Sequence, residues 1–97
     1  MATIEEELKV AKQAKAAIEG MLTEETIRVL RTTSRMATEQ MTTMSSAGPL
    51  NDARYKLGLT LLAVTGALEQ GQPSEDELKN AKSAIDVWMK ELEAAKP

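Results

Sequence analysis

Three arginines in the N-terminal half of the chain have a spacing suited to anion binding. Arg28, Arg31 and Arg35 are three and four residues apart, which places them on one face of a helix. A guanidinium donates paired hydrogen bonds to a phosphate group, and nearby threonine hydroxyls add neutral donors. The pattern indicates a candidate site for a phosphorylated ligand. The alternative is a solvated helix face whose arginines pair with neighbouring glutamates.

A second basic cluster contains the only tyrosine of the chain. Arg54, Tyr55 and Lys56 are consecutive, and nucleotides are often held by an aromatic ring that stacks on the base beside cations that neutralise the phosphate. Alternatively, Tyr55 packs against Leu50 at the start of a helix as a hydrophobic staple. Both basic clusters are candidate anion or ligand sites, and two-fold symmetry could bring clusters from different subunits together.

The composition argues against catalysis. The chain contains no histidine and no cysteine, so it lacks the commonest general base, the best nucleophile and the usual nitrogen and sulfur ligands of metals. Glu5, Glu6 and Glu7 are consecutive, which spreads them around a helix instead of directing them at one ion. We expect them to form a solvated first turn that complements the helix dipole. The sequence predicts no catalytic residue, no metal site and no cofactor, and therefore a protein that is not an enzyme.

Length and charge limit the class of protein. The 97 residues are predicted to form one domain, residues 1–97, whose core is built without phenylalanine from aliphatic and methionine side chains. The formal net charge of -3 argues against binding to duplex DNA. Because no apolar run reaches the length of a signal peptide or a membrane span, we expect a cytoplasmic protein with no membrane partner.

Helix start and stop signals divide the first half of the chain. Thr3 and Glu6 form a predicted capping box at the start of the first helix, and Gly20 could end it. Thr23 is then the predicted N-cap of a second helix that runs to about Met44. Because one glycine costs a helix only about 1 kcal/mol relative to alanine, the alternative is one continuous helix through both segments.

The second helix carries an apolar seam at heptad spacing. The helix is rich in threonine, a modest helix former, so its order must come from packing. Its methionines either pack in the core or line an adaptable binding surface. The predicted seam consists of Ile27, Leu30, Ser34, Ala37, Met41 and Met44.

The strongest break in the chain is Gly48-Pro49. Asn51 is the predicted N-cap of the third helix that follows, and Gly71 with Pro73 ends that helix. The connection to the last helix is so short that the two are predicted to form an antiparallel hairpin.

The last helix has the clearest pattern. Ser74 and Glu77 form a predicted capping box, and one arc of the helix surface is apolar. Trp88 lies in this arc and is predicted to be a core residue, the alternative being an interface anchor. The arc consists of Leu78, Ala81, Ile85, Trp88, Met89 and Leu92.

The third helix is apolar on two sides. One side can pack in an internal core, which leaves the other needing a partner. Gly58 and Gly66 lie within this helix, where close approach of another backbone is the usual reason for a glycine. The core side contains Leu57, Leu61, Val64 and Leu68, and the other side contains Tyr55, Leu59 and Leu62. The candidate interface consists of Leu59, Leu62 and Gly66 with Met36, Met41 and Met44.

These patterns predict an all-α protein, a small bundle of three to four helices with a C-terminal antiparallel helical hairpin, completed by oligomerisation. The predicted function is non-catalytic: a small interaction protein that forms a homo-oligomer and acts on a protein partner as an adaptor, chaperone or inhibitor. The alternative is a helical oligomer that binds or sequesters a nucleotide or another small phosphorylated ligand.

Overall fold

The computed structural model describes residues 3–43, 48–71 and 73–96, and these form four α-helices and no strand. The helices are α1 (Ile4–Glu19), α2 (Glu24–Thr43), α3 (Pro49–Glu69) and α4 (Glu75–Ala95). Within the described residues, no helix is both long enough and apolar enough to cross a bilayer. The four helices, with no strand among the described residues, confirm the predicted all-α class.

Both predicted capping boxes are present. At the start of α1 the Thr3 hydroxyl accepts the Glu6 N–H at 3.1 Å, while the Glu6 carboxylate accepts the Thr3 N–H at 3.1 Å. Ser74 and Glu77 make the same reciprocal pair at the start of α4. Each box satisfies two of the backbone donors that a helix start leaves without partners.

The first two helices are separate. Gly20 adopts an extended conformation with φ -89 and ψ -158, and its N–H donates to the carbonyl of Ala16 as α1 ends. The Thr26 hydroxyl connects the intervening turn to the start of α2. It accepts a hydrogen bond from the Thr23 N–H and donates one to the Met21 carbonyl, each at 3.1 Å. The continuous helix is therefore excluded.

The third helix begins three residues earlier than predicted. Gly48 is its N-cap with φ 147, and Pro49 occupies the first turn. Proline suits this position because its ring fixes φ near the helical value and the missing N–H has no helical partner there. Asn51 therefore lies inside the first turn, so its prediction as the N-cap was wrong. The end of the helix was predicted correctly, since Gln70 caps it and Gly71 follows with φ 78.

The four helices form a closed bundle in which consecutive helices pack together and α4 packs back against α1. The predicted hairpin of α3 and α4 is confirmed, and the bundle measures 39 × 20 × 20 Å. Trp88 is fully buried, as predicted. The predicted arc of α4 and the core side of α3 both face inwards, with these members fully buried: Leu57, Leu61, Val64, Ala81, Ile85, Trp88 and Leu92.

The buried face of α2 covers more of the helix surface than the predicted heptad seam does. Leu30, Ser34 and Ala37 are buried as predicted, whereas Ile27 and Met41 are only half-buried. Met44 lies outside the described residues. Polar residues complete the buried surface of this helix: Thr26, Thr33 and Gln40.

Candidate functional site

A buried polar cluster lies between the four helices, towards the end of the bundle where α1 and α3 begin, and includes a residue of each helix. Glu7 of α1 is 0% exposed and Arg54 of α3 is 1% exposed. One Glu7 carboxylate oxygen accepts from the Arg54 Nη2 at 2.6 Å and from Gln40 Nε2 at 3.1 Å. The other accepts from the Arg54 Nε and from the Trp88 indole N–H, both at 3.0 Å. The Arg54 guanidinium also donates to the Asn51 side-chain oxygen at 3.1 Å.

This cluster is closed to solvent and internally satisfied. No buried side-chain nitrogen or oxygen in the described part of the chain lacks a hydrogen-bond partner. The carboxylate of Glu7 neutralises the guanidinium of Arg54 in a place that a diffusing ligand does not reach. The chemistry of the cluster is therefore that of a structural ion pair, which leaves Arg54 out of any surface site.

The expectation for Glu7 was wrong. Of the three consecutive glutamates, Glu5 and Glu6 are exposed as expected, but Glu7 is fully buried. Its spacing offers a signal, because Glu7, Ala11, Ala14 and Ile18 follow one another at four, three and four residues on the buried face of α1. An acidic residue in phase with the core predicts a buried partner.

The other two members of the second basic cluster point away from Arg54. Tyr55 and Lys56 are exposed on α3. Lys56 lines a groove of about 410 Å³ between α3 and α4, together with Glu77 and Val87. The structure thus divides the predicted trio between the core and the surface, because successive residues of a helix point about 100° apart.

The first basic cluster is brought together. Arg28, Arg31 and Arg35 line one open groove of about 670 Å³ beside α2, and Thr32 is a further residue of the lining. The apolar part of the lining comes from the α1–α2 turn, α2 and α3: Leu22, Ile27 and Leu68. The acidic part is Glu24 and Glu69. We call this cavity the arginine groove.

Two of the groove arginines form surface ion pairs. Arg28 pairs with Glu25 on the same helix, and Arg31 pairs with Glu69 of α3. Among the described residues, no carboxylate lies within ion-pair distance of Arg35. The neighbouring glutamates therefore engage part of the cluster and leave one guanidinium directed to solvent.

The outward side of α3 presents large apolar side chains to solvent. Tyr55, Leu59 and Leu62 are 58%, 53% and 60% exposed. Gly66 continues the same line of the helix, and a β-carbon built on it meets no other atom within 4 Å among the described residues. We call Tyr55, Leu59, Leu62 and Gly66 the outer stripe. The two remaining candidate interface residues that the structure describes, Met36 and Met41, are half-buried.

The two glycines of α3 have different surroundings. Gly58 faces α2, where the Ser34 hydroxyl donates to its carbonyl at 3.2 Å. A β-carbon at Gly58 would lie 3.4 Å from the Thr38 hydroxyl oxygen. The predicted close approach of another backbone is therefore not found at Gly58, whose neighbours are side-chain hydroxyls of α2. Gly66 has no such neighbour among the described residues.

Two groups at the surface of the bundle, exposed Glu6 and half-buried Lys15, have displaced pKa values. The backbone N–H of Thr3 and then its hydroxyl lower the pKa of Glu6, because both stabilise the carboxylate form. The hydrogen bond with Asp86, followed by the charge of that carboxylate, raises the pKa of Lys15, whose ammonium lies 2.7 Å from an Asp86 oxygen. Both effects belong to the surface of the bundle and leave the arginine groove unaffected.

Among the residues that the structure describes, no group of three acidic side chains is arranged to hold a metal ion. Comparison of the chain with protein-family models, curated proteins and solved structures gives no match. The outer stripe and the arginine groove are therefore interpreted from their own residues.

Proposed function

We propose that this protein is a small, non-catalytic interaction protein that assembles with a second copy of itself through the outer stripe of α3. An adaptor, chaperone or inhibitor acts in this way, by presenting a surface to a protein partner. The observation that carries the proposal is the exposure of Tyr55, Leu59 and Leu62 on a helix whose opposite side already fills the core. Three large apolar side chains aligned on one helix form the kind of patch that marks a protein interface.

The spacing of the outer stripe suits helix pairing. Tyr55, Leu59, Leu62 and Gly66 follow one another at four, three and four residues, which is the heptad spacing of a helix seam. Residues at this spacing stay on one side of a helix and interlock with the same side of a partner helix.

The stripe is also complementary to itself. When two copies of α3 pair antiparallel about a two-fold axis, Tyr55 of one copy faces Gly66 of the other, and Leu59 faces Leu62. The largest side chain of the stripe thus meets the residue with no side chain, and the two leucines pack against each other. This register gives Gly66 a role, namely space for a tyrosine ring, at a position where no other described residue approaches it.

The proposed interface is modest in size. A stable protein interface buries about 800 Å² per partner, and one stripe of three large side chains supplies only part of that area. We therefore expect the two copies to associate reversibly, to an extent that depends on protein concentration.

Light scattering behind size-exclusion chromatography tests the proposal with a charge placed in the stripe. We expect Leu59→Asp to shift the protein from two chains to one, because association would bury the new carboxylate without a partner. Val87→Asp is the matched control, since Val87 is an exposed apolar residue on α4 outside the stripe. A Leu59→Asp protein with unchanged mass and helicity would refute the proposal.

A further inference from the structure

We propose that the arginine groove is a binding site for a small organic phosphate, a ligand with a phosphate group and an apolar or aromatic body. The inference is independent of self-assembly, because the groove is lined by α2, the preceding turn and the end of α3 of one chain. A negative result for ligand binding would therefore leave the proposed self-assembly untouched, and the reverse also holds.

The cationic side of the groove carries the kind of donors that bind phosphate. Arg28, Arg31 and Arg35 lie on successive turns of one helix face and line the same cavity. Their guanidiniums present planar pairs of donors, which suit phosphate oxygens better than a single ammonium does. The Thr32 hydroxyl in the same lining adds a neutral donor.

The existing ion pairs do not close the site. The pairs of Arg28 with Glu25 and of Arg31 with Glu69 are both about half-exposed or more, and exposed pairs contribute little to stability. A doubly charged phosphate competes for such arginines, because it offers the same bidentate hydrogen bonds as a carboxylate and carries more negative charge. Among the described residues, no carboxylate forms an ion pair with Arg35, so a ligand would displace no partner there. We therefore assign Arg35 as the first residue to contact the phosphate group.

The apolar side of the groove selects the body of the ligand. Leu22, Ile27 and Leu68 line the cavity beside the arginines, and each is at least partly exposed to solvent. Inorganic phosphate alone would leave these side chains exposed to solvent. A ligand that places an apolar ring over them and its phosphate on the arginines uses both parts of the groove.

The experiment is a titration of the isotope-labelled protein, followed by the NMR signals of the α2 backbone amides and the arginine Nε–H groups. Phenyl phosphate is the probe, with inorganic phosphate and phenol as its two halves. We expect phenyl phosphate to bind at least about tenfold more tightly than either half, because each half loses one set of contacts. Equal binding of inorganic phosphate would refute the role of the apolar residues.

Three variants locate the site. Arg35→Gln should weaken phenyl phosphate binding about tenfold, the loss expected for one charge-assisted hydrogen bond. Glu69→Gln should tighten binding about threefold, because it releases Arg31 from a surface pair and removes a repelling charge. Lys90→Gln removes an exposed cation of α4 outside the groove and should leave the affinity unchanged.

Arg35→Gln and Lys90→Gln change the net charge of the protein equally, so a difference between their effects separates a site from general attraction to positive charge. All replaced side chains are exposed, so circular dichroism should show the same helicity for every variant. Equal weakening by Arg35→Gln and Lys90→Gln would overturn the proposal. So would the absence of shifts in the α2 amides at millimolar phenyl phosphate.

Discussion

The carboxylate of Glu7 binds one side chain from each of the other three helices. Gln40 belongs to α2, Arg54 to α3 and Trp88 to α4, and all four side chains are buried. A buried ion pair adds little net stability compared with an apolar pair of the same size, but removal of one partner leaves a charge without compensation. The cluster therefore favours the one arrangement of the helices in which every donor reaches the same carboxylate.

The first prediction concerns this carboxylate. Glu7→Gln removes the negative charge and leaves the Arg54 guanidinium buried without its counterion. We expect the free energy of unfolding to fall by about 3–5 kcal/mol, which is a large share of the stability of a small domain. Urea denaturation followed by circular dichroism measures the change. Glu5→Gln is the control, since Glu5 is exposed in the same helical turn, and an equal effect of both substitutions would contradict the account.

The second prediction concerns the pH dependence of the α1 cap. Because the folded state lowers the pKa of Glu6, this group stabilises the protein at pH values above its unfolded pKa. The stabilisation is lost as the pH falls through the folded pKa. NMR titration of the Glu6 carboxyl should show an inflection below that of an unstructured glutamate.

A variant without the Thr3 N–H is the control for this titration. Thr3→Pro removes the backbone N–H that is the main cause of the shift, and it should return the pKa of Glu6 towards its ordinary value. An unshifted inflection in the wild-type protein would count against the capping box as the cause.

At the scale of the helices, local signals were predicted well and distant partners were not. The capping boxes of α1 and α4 use residues three apart, so the sequence contains both halves of each contact. Asn51 was misassigned because proline at the first turn favours an earlier start. The Glu7 cluster joins residues 47 and 81 positions apart, and no periodicity identifies which donors face one carboxylate.

The third prediction distinguishes the two glycines of α3. Gly66→Ala should raise the stability of the isolated chain by about 0.5–1 kcal/mol, because alanine favours a helix and no described atom lies near the new β-carbon. The same substitution should weaken association, since the methyl group occupies the space that the proposal gives to Tyr55 of the second copy. Denaturation at low protein concentration measures the first effect, and sedimentation velocity measures the second.

Gly58 provides the contrast within the same helix. Gly58→Leu places atoms against the hydroxyls of Ser34 and Thr38 and should destabilise the chain itself by about 1–3 kcal/mol through overpacking. If Gly66→Ala stabilised both the chain and the dimer, the assigned role of Gly66 in the interface would be wrong.

At the scale of the whole molecule, the bundle buries one side of every helix and leaves the outer stripe of α3 in water. The sequence predicted this second apolar side because its residues are local to one helix. It could not predict the arginine groove as a cavity, since Leu22, Arg31 and Leu68 come from three separate parts of the chain.

Sedimentation equilibrium of the wild-type protein over a concentration series measures whether the outer stripe holds two copies together. We expect the mass to rise from that of one chain to that of two as the concentration increases, with a single reversible dissociation constant. A protein that keeps the mass of one chain at every concentration, with its helicity intact, would contradict the proposed association.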